Sequence, residues 1–317
     1  FRRVLFRSRP PRAAGSARRA AGAPAGMPNG RGSANAVAGL DCRPPAARGA
    51  PVRSATRRDT QAMDDELQLL TELHIDGERQ GPGSDAMTRR ALALAGLAGR
   101  RGLRVADIGC GTGAASLLLA RELASTVIAV DFLQPFLDAL QRRAAAAGGA
   151  GRIETRCADM GELDFAPDSL DLIWSEGAVY NIGFQRGIRA WRAFLRPGGV
   201  LAVSELTWLT RQRPATLQNY WDDAYPEVAT AAVKIGQLEA AGYRVLGYFP
   251  LPTDCWLAHY YEPLRARLQS LLERHPDSTV ARELAAAEER EMALYEANQD
   301  HVSYGFYIAQ RSRAGRG

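Results

Sequence analysis

The sequence has few cysteines and no long apolar run. Its four cysteines, at positions 42, 110, 157 and 255 of 317 residues, form no C-x-x-C pair and have no histidine pair nearby. This spacing excludes a disulfide framework and a zinc site, and it is typical of a reducing compartment. No apolar stretch approaches the roughly 18 residues of a membrane span. We therefore expect no metal site, no membrane partner and a cytoplasmic location.

The first 62 residues lack lysine and contain almost no acid. They hold 13 arginines against Asp41 and Asp59, a net charge of +11, whereas the remainder has 27 basic and 33 acidic residues, a net of −6. The whole-chain charge of +5 and the pI near 9.2 therefore describe the first segment rather than the rest. Global charge is thus weak support for a nucleic-acid partner, and none is expected.

Residues 1–62 consist mainly of Ala, Arg, Gly, Pro and Ser, with almost no periodicity. Such a composition buries too little surface to fold, so a disordered tail is predicted. The segment 1–8 resembles the read-through translation of a sequencing adapter, which makes Met63 the predicted natural start. An organelle transit peptide and a basic arm for nucleic acid remain alternatives. The folded domain is predicted to span 63–317.

The stretch from Val105 to Gly113 organises this domain. It reads as a short buried strand that enters a glycine-rich turn, and a helix follows from Ala114. A strand, a glycine turn and a helix N-terminus in that order form a cradle for a nucleotide-like ligand.

Further strands and helices alternate after this cradle. Strands are predicted at 126–130, 152–157, 170–174, 200–203, 243–249 and 301–309, with helices over 134–147 and 184–195. This alternation predicts an α/β fold with a doubly wound, seven-stranded, mostly parallel sheet of Rossmann-like type. The helical insert at 251–300, between the last two strands, is predicted to cap the active-site mouth. The loop at 77–84 is predicted either to be a simple connecting turn or to fold over a ligand as a mobile flap.

The glycine turn is compatible with a dinucleotide cofactor and with one other nucleotide-like cofactor, which the next motifs indicate. Gly109-x-Gly111-x-x-Ala114 satisfies the dinucleotide fingerprint, and Asp131 lies at about the right distance to bind a ribose. The carboxylate of Asp131 is able to accept hydrogen bonds from both hydroxyls of a ribose. Taken alone, these glycines do not distinguish the two cofactors.

Additional motifs distinguish them. Asp107 precedes the first glycine by two residues, Gly113 completes Gly-x-Gly-x-Gly, Asp159 ends the third strand, and Pro-Gly-Gly at 197–199 precedes the fifth. Together they resemble class I S-adenosylmethionine-dependent methyltransferases over roughly 63–310. The resemblance implies S-adenosyl-L-methionine as cofactor, with Asp159 facing the adenine amino group. It implies cofactor contacts at Asp107, Gly109, Cys110, Gly111, Gly113, Asp131, Phe132, Asp159, Met160 and Glu176.

The adenine ring is expected between Phe132 and Met160, with an ordinary core role of these side chains as the alternative. A closer resemblance joins several segments to a group of uncharacterised bacterial small-molecule methyltransferases. It is carried by 79–84 (RQGPGS), 174–184 (WSEGAVYNIGF), 223–226 (DAYP), Cys255-Trp256 and 259–261 (HYY). This resemblance groups the early loop and the late insert into one site and names no substrate.

The substrate is expected at the carboxyl ends of the fourth and fifth strands. Glu176 is the first candidate for a base or a contact to the methionine ammonium group, with a structural ion pair as the alternative. His259 has a resting pKa suited to a base, with packing as the alternative. Tyr180 is a third catalytic candidate. The predicted substrate-binding residues are Tyr180, Asn181, Trp208 and Tyr225.

The leading hypothesis is a methyltransferase that acts on a small molecule by in-line transfer, as a monomer or homodimer. A catalytically silent S-adenosylmethionine-binding regulator is the first alternative, because no base is unambiguous. An RNA methyltransferase is suggested only by the arginine-rich tail, and a dinucleotide oxidoreductase only by the glycines.

Overall fold

Eight strands form one mixed sheet in the computed structural model, which describes residues 57–313. The strands over 105–108, 127–131 and 170–176 are largely buried in this sheet, whereas the edge strand over 153–157 is partly exposed. The strands are β1 Val105–Ile108, β2 Val127–Asp131, β3 Ile153–Cys157, β4 Leu170–Glu176, β5 Leu195–Trp208, β6 Ala229–Thr230, β7 Tyr243–Pro250 and β8 Val302–Arg311.

Nine α-helices accompany these strands among the described residues. They are α1 Arg57–Ile75, α2 Asp85–Leu94, α3 Ala114–Glu122, α4 Gln134–Ala146, α5 Phe184–Arg192, α6 Ala215–Ala224, α7 Ala231–Ala240, α8 Glu262–Arg274 and α9 Thr279–Glu296. Short 3₁₀ turns occupy Ala150–Arg152, Val179–Asn181 and Thr253–Cys255, and a π-helical turn occupies Leu257–Tyr261.

The strand order is β3-β2-β1-β4-β5-β8-β7, with the two-residue β6 beside β5. The first five of these neighbours run parallel, whereas β8 is antiparallel to both β5 and β7. The predicted doubly wound, mostly parallel sheet is confirmed. The order reverses between β1 and β4, and ligands of such sheets bind at this switch point, beyond the carboxyl ends of the strands.

Strand β5 is longer than predicted. The motif Pro197-Gly198-Gly199 was expected to separate a helix ending at 195 from a strand beginning at 200. Instead α5 ends at Arg192, and the motif lies inside β5, where the pairing with β4 shifts register after Leu195. Proline is tolerated there because the pairing between the strands is irregular at this position, so no hydrogen bond from a backbone N–H is required.

The first helix is also longer than its apolar pattern predicts. The apolar residues Leu67, Leu69, Leu70 and Leu73 predict a short helix over 64–73, whereas the helix extends over Arg57–Ile75. Residues 57–62, assigned by composition to the disordered tail, therefore belong to a helix. The predictions for 1–56 concern residues outside the described part of the chain.

The late insert contains helices α8 and α9, as predicted. Their contacts fasten it to α1: Arg267 donates to the carbonyl of Leu73 at 3.0 Å, and Arg274 pairs with Glu72 at 2.6 Å. Residues of α1 and of this insert also line cavities that share residues with the carboxyl ends of β1, β2 and β4. Not one of the helices between 57 and 313 combines the length and the apolar character that a membrane span requires.

Candidate active site

A cleft opens at the carboxyl ends of β1, β2 and β4. It contains most of the residues for which the sequence predicts a cofactor contact. Its lining includes Arg79, Gln80, Asp107, Gly109, Cys110, Gly111, Asp131, Phe132, Met160, Glu176, Gly177 and Asn181. Gly113 lies at the N-cap of α3, directly behind this lining.

The glycine turn at the floor of the cleft follows a path that requires glycine at its first position. Gly109 has φ of +75°, and a Cβ there would lie 2.3 Å from the Cβ of Ala178. The N–H groups of Gly109 and Cys110 donate to the carbonyl of Val130 at 2.8 and 3.0 Å, so the turn is tied to β2. The backbone of the turn therefore forms the cleft surface with no side chain in the way.

Asp131 ends β2 beside this turn, and its carboxylate is fixed by backbone donors. One oxygen accepts from the N–H of Gly111 at 2.9 Å, and the other accepts from the N–H of Leu133 at 3.0 Å. Burial raises the pKa of Asp131, while these two N–H groups act to lower it. An ionised carboxylate offers about four acceptor positions, so acceptor capacity remains toward the cleft.

A second cavity adjoins the cleft on the side where the sequence predicts adenine. Its lining includes Phe132, Asp159 and Met160, together with Met63 and Leu67 of α1. The Phe132 side chain is among the few large apolar side chains that are exposed, at 41%, which argues against a core role. Met160 is 8% exposed and contacts both cavities. The contribution of α1 to this wall was not predicted, because its apolar residues resemble ordinary packing positions.

Asp107 is the most deeply buried acid of the cleft. It lies on β1, is 1% exposed, and accepts a 2.6 Å hydrogen bond from the hydroxyl of Ser116. Burial raises the pKa of Asp107 to about 7, and the negative charge of Glu176 acts in the same direction, whereas the Ser116 hydrogen bond opposes it. The folded protein therefore holds this proton more tightly than the unfolded chain does.

Replacing Asp107 by asparagine should stabilise the folded protein at alkaline pH. The pKa of Asp107 is 3.8 in the unfolded chain and about 7 in the folded protein. Ionisation of Asp107 therefore lowers the free energy of unfolding, and this loss is absent below pH 4 and complete above pH 7. Asparagine retains an acceptor for Ser116 and carries no charge. We expect Asp107→Asn to gain on the order of 1–4 kcal/mol at pH 8 and almost nothing at pH 4. Urea unfolding at both pH values measures the difference.

The matched control for this prediction is Asp138→Asn, an exposed aspartate on α4. The free energy of unfolding of the Asp138→Asn variant should differ from that of the original protein by less than about 0.5 kcal/mol at either pH. An Asp107→Asn gain that is equal at pH 4 and pH 8 would contradict the explanation by ionisation.

Glu176 is held at the cleft by three donors. Arg79 donates at 2.7 Å, Thr88 at 2.6 Å and the indole of Trp174 at 2.9 Å. Burial alone would lower the pKa of Arg79, but the carboxylates of Glu176 and Asp85 raise it above its ordinary value. The ion pair that the sequence left as an alternative for Glu176 is present, and its partner Arg79 was not predicted from the sequence as a functional residue.

The early loop is attached to the glycine turn by a glutamine. The side-chain oxygen of Gln80 accepts from the N–H of Thr112 at 2.9 Å, and its NH₂ group donates to the Thr112 hydroxyl at 2.9 Å. Arg143 also donates to that hydroxyl, at 2.6 Å. The loop predicted as a flap therefore lies against the turn, with Gln80, Gly81 and Pro82 in the cleft wall.

The structure divides the predicted substrate residues. Asn181 lines the cleft, and Tyr180 lines a smaller neighbouring cavity. Tyr225 is buried behind Tyr180, with ring centroids 6.1 Å apart, and Trp208 is buried beneath the guanidinium of Arg213. Neither Tyr225 nor Trp208 contributes to the lining of the cleft or of that cavity.

His259 does not join the other catalytic candidates. It lies on the π-helical turn with an exposed side chain, and it lines neither the cleft nor the smaller neighbouring cavity beside Tyr180. The next residue, Tyr260, is buried and lines that cavity instead. The sequence pattern does not reveal which of these adjacent residues faces inward, because an irregular turn sets their directions.

Glu205, at the carboxyl end of β5, is enclosed in the core. Its side chain is fully buried, and it lies 3.7 Å from the ammonium of Lys234, the only lysine of the chain. Burial lowers the pKa of Lys234, and the charge of Glu205 counteracts it. Glu205 therefore serves as a buried ion-pair partner away from the cleft. Within 57–313, no three His, Cys, Asp or Glu side chains are grouped to hold a metal ion.

Solved structures share this fold. A crystal structure of an S-adenosylmethionine-dependent methyltransferase from Thiobacillus denitrificans superposes with a TM-score of 0.66 at 20% identity, over 77% of this chain and 96% of that one. The [4+2]-cyclase SpnF superposes with a TM-score of 0.61 at 23% identity, over 84% of this chain and 99% of that one. This chain therefore shares the fold of these structures, in agreement with the Rossmann-like fold that the sequence predicted.

Part of the chain is similar to known methyltransferases. Residues 105–199, from β1 into β5, match the family described as "Methyltransferase domain". "Methyltransferase GfsG" of Streptomyces halstedii is 29% identical over 154 residues, 45% of this chain and 55% of that protein. A demethylmenaquinone methyltransferase of Clavibacter sepedonicus is 32% identical over 166 residues, 52% of this chain and 64% of that protein. The chain thus spans between half and two-thirds of the length of these curated relatives.

Proposed function

We propose that this protein is an S-adenosylmethionine-dependent methyltransferase that transfers a methyl group in line to a small molecule. One observation carries the proposal: the buried carboxylate of Asp131 is fixed by two backbone N–H groups at the rim of a glycine-floored cleft. The matched methyltransferase domain and the similarity to small-molecule methyltransferases support it.

The cleft residues fit the parts of this cofactor. Asp131 retains acceptor positions for the two ribose hydroxyls, and the exposed ring of Phe132 offers an apolar face to adenine. Asp159 lines the cavity beside Phe132, and we propose that it accepts a hydrogen bond from the adenine amino group. Gly109 and Gly111 line the cleft without side chains, which leaves space for the methionine part.

The protein's own contribution to the reaction is alignment and the exclusion of water. When bound, S-adenosylmethionine supplies a methyl group already activated on a sulfonium. Glu176, paired with Arg79 at 2.7 Å, is proposed to hold the ammonium of the methionine part. Gln80 and Pro82 cover the cleft from the early loop, which limits access of water to the reacting atoms.

Calorimetry with S-adenosylmethionine and its demethylated product tests this function. We expect both to bind the full chain, and Asp131→Ala to weaken binding at least about 100-fold, because a charge-assisted pair of hydrogen bonds is lost from a buried site. Asp138→Ala, which removes an exposed carboxylate from α4, is the matched control and should bind normally.

Three results would count against the proposal. They are the absence of cofactor binding, an unchanged affinity in Asp131→Ala, and competition by a nicotinamide dinucleotide. Turnover of the cofactor with an acceptor would exclude the alternative of a catalytically silent binding protein.

A further inference from the structure

The second glycine of the turn, Gly111, is in close contact with the early loop. In dinucleotide-binding folds the second glycine of the fingerprint G-x-G-x-x-G lets the backbone approach the pyrophosphate of the cofactor. A Cβ at Gly111 would overlap the side-chain oxygen of Gln80 and would lie 3.1 Å from the Cδ of that residue. The amide of Gln80 therefore lies against the face of Gly111 from which a side chain is missing.

The same amide binds the backbone donor that follows this glycine. The N–H of Thr112 donates to the side-chain oxygen of Gln80 at 2.9 Å. Thr112 is fully buried and lies two residues before the start of α3. Backbone N–H groups in a glycine turn that leads into a helix bind phosphate oxygens in nucleotide sites. In this protein the oxygen of Gln80 is the acceptor instead.

Gln80 is held firmly in this position. Its NH₂ group donates to the Thr112 hydroxyl at 2.9 Å and to the carbonyls of Gly77 and His74 at 3.0 and 3.1 Å. These acceptors also determine the orientation of the amide, because only its oxygen is able to accept from an N–H group. Arg143 donates to the Thr112 hydroxyl at 2.6 Å and to the Gly77 carbonyl at 2.9 Å. Displacing the Gln80 amide would leave buried polar groups without partners, which is unfavourable.

We propose that Gln80 is a specificity-determining residue, which excludes nucleotides that carry a diphosphate, dinucleotides included, from the cofactor cleft. The inference rests on the proposed function, since it concerns the choice of cofactor at the same site. S-adenosylmethionine has no phosphate and does not require the N–H of Thr112. A nucleoside diphosphate has to displace the Gln80 amide to reach that donor. The cleft thus discriminates through a contact that only the wrong ligand has to break.

The acids of the cleft are a second possible cause of such discrimination. Asp107, Asp131 and Glu176 all line it, and carboxylates repel a phosphate group. The cation of Arg143 acts in the opposite direction. A decisive experiment therefore changes Gln80 and leaves every charged residue in place.

Calorimetry of the full chain with adenosine and with ADP measures the exclusion as a ratio of affinities. Both ligands contain adenine and ribose, and only ADP carries a diphosphate. We expect the original chain to bind adenosine at least about 30-fold more tightly than ADP, because ADP leaves the displaced amide and its partners unpaired. Gln80→Ala removes the amide and should reduce this ratio to about threefold or less. Damage to the adenine side would weaken both ligands and leave the ratio unchanged.

Gln80→Asn is a second variant, which keeps an amide but is one methylene too short to reach Thr112. It should behave like Gln80→Ala, and it replaces that variant if Gln80→Ala does not fold. Gln141→Ala is the matched control, because Gln141 is an exposed glutamine on α4 that also donates a side-chain hydrogen bond, to Thr155 at 2.6 Å. It should keep the full ratio. Urea unfolding verifies that each variant is folded.

Two results would overturn the proposal. One is an original chain that binds ADP as tightly as adenosine. The other is an unchanged ratio in the folded Gln80 variants, which would assign the exclusion to the cleft acids alone. Failure of the proposed function is seen separately, as an original chain that does not bind the demethylated product of S-adenosylmethionine. Binding of that product together with equal affinities for adenosine and ADP contradicts only the role of Gln80.

Discussion

Replacing Arg79 by methionine should lower the free energy of unfolding by about 3–5 kcal/mol. The Arg79 side chain is 9% exposed and lies 2.7 Å from the carboxylate of Glu176, whose side chain is 13% exposed. Methionine fills a similar volume but provides no cation, so the variant leaves the Glu176 charge buried without its ion-pair partner. The second pair of Arg79, with Asp85, adds little because that carboxylate is 43% exposed.

A double-mutant cycle separates the lost ion pair from lost packing. Adding Glu176→Gln to Arg79→Met removes the unpaired carboxylate charge. The double variant should recover at least about half of the lost free energy of unfolding. Arg89→Met is the matched control, since Arg89 pairs with Asp85 and Glu122 at the surface and should cost under about 1 kcal/mol. Urea unfolding measures the single variants Arg79→Met and Glu176→Gln, the double variant and the control Arg89→Met. Equal losses for Arg79→Met and Arg89→Met would show that the buried pair adds no stability.

The parts of the site that could be predicted from the sequence depend on local pattern. The run from Val105 to Ile108 is apolar at every position except Asp107, and the glycines follow directly. A strand and a turn are therefore predictable from this stretch. Asp131 ends the next β-branched run, and parallel strands bring their carboxyl ends to one edge. Both placements follow from neighbours within a few residues, and the structure confirms the strands concerned.

The unpredicted parts depend on residues far apart in sequence. Arg79 and Glu176 are separated by 97 positions, and Gln80 and Thr112 by 32. A single sequence contains no periodicity that relates such pairs. Their contact arises only after α1 and α2 pack beside the sheet. The inward direction of Tyr260 rather than His259 is likewise set by the π-helical turn, whose winding departs from the 100° per residue that pattern reading assumes.

The glycine turn leads to the second large prediction, that Gly109→Ala destabilises the fold and abolishes cofactor binding. The new Cβ would lie 2.3 Å from the Cβ of Ala178 and 3.1 Å from the Cε of Met160. It would also hold a non-glycine residue at φ of +75°. The conformation costs about 1–2 kcal/mol and overpacking adds about 1–3 kcal/mol. Urea unfolding and cofactor calorimetry measure the two effects.

Two further variants divide this loss into its causes. Gly148→Ala places alanine at φ of +68° with no atom within 4 Å of the new Cβ, so it should cost only the conformational part, about 1–2 kcal/mol. The Gly109→Ala, Ala178→Gly double variant removes the clashing methyl and keeps the strained φ. Its stability should return to about that of Gly148→Ala. If it remains as unstable as Gly109→Ala alone, the close approach of Ala178 does not explain why this turn requires glycine.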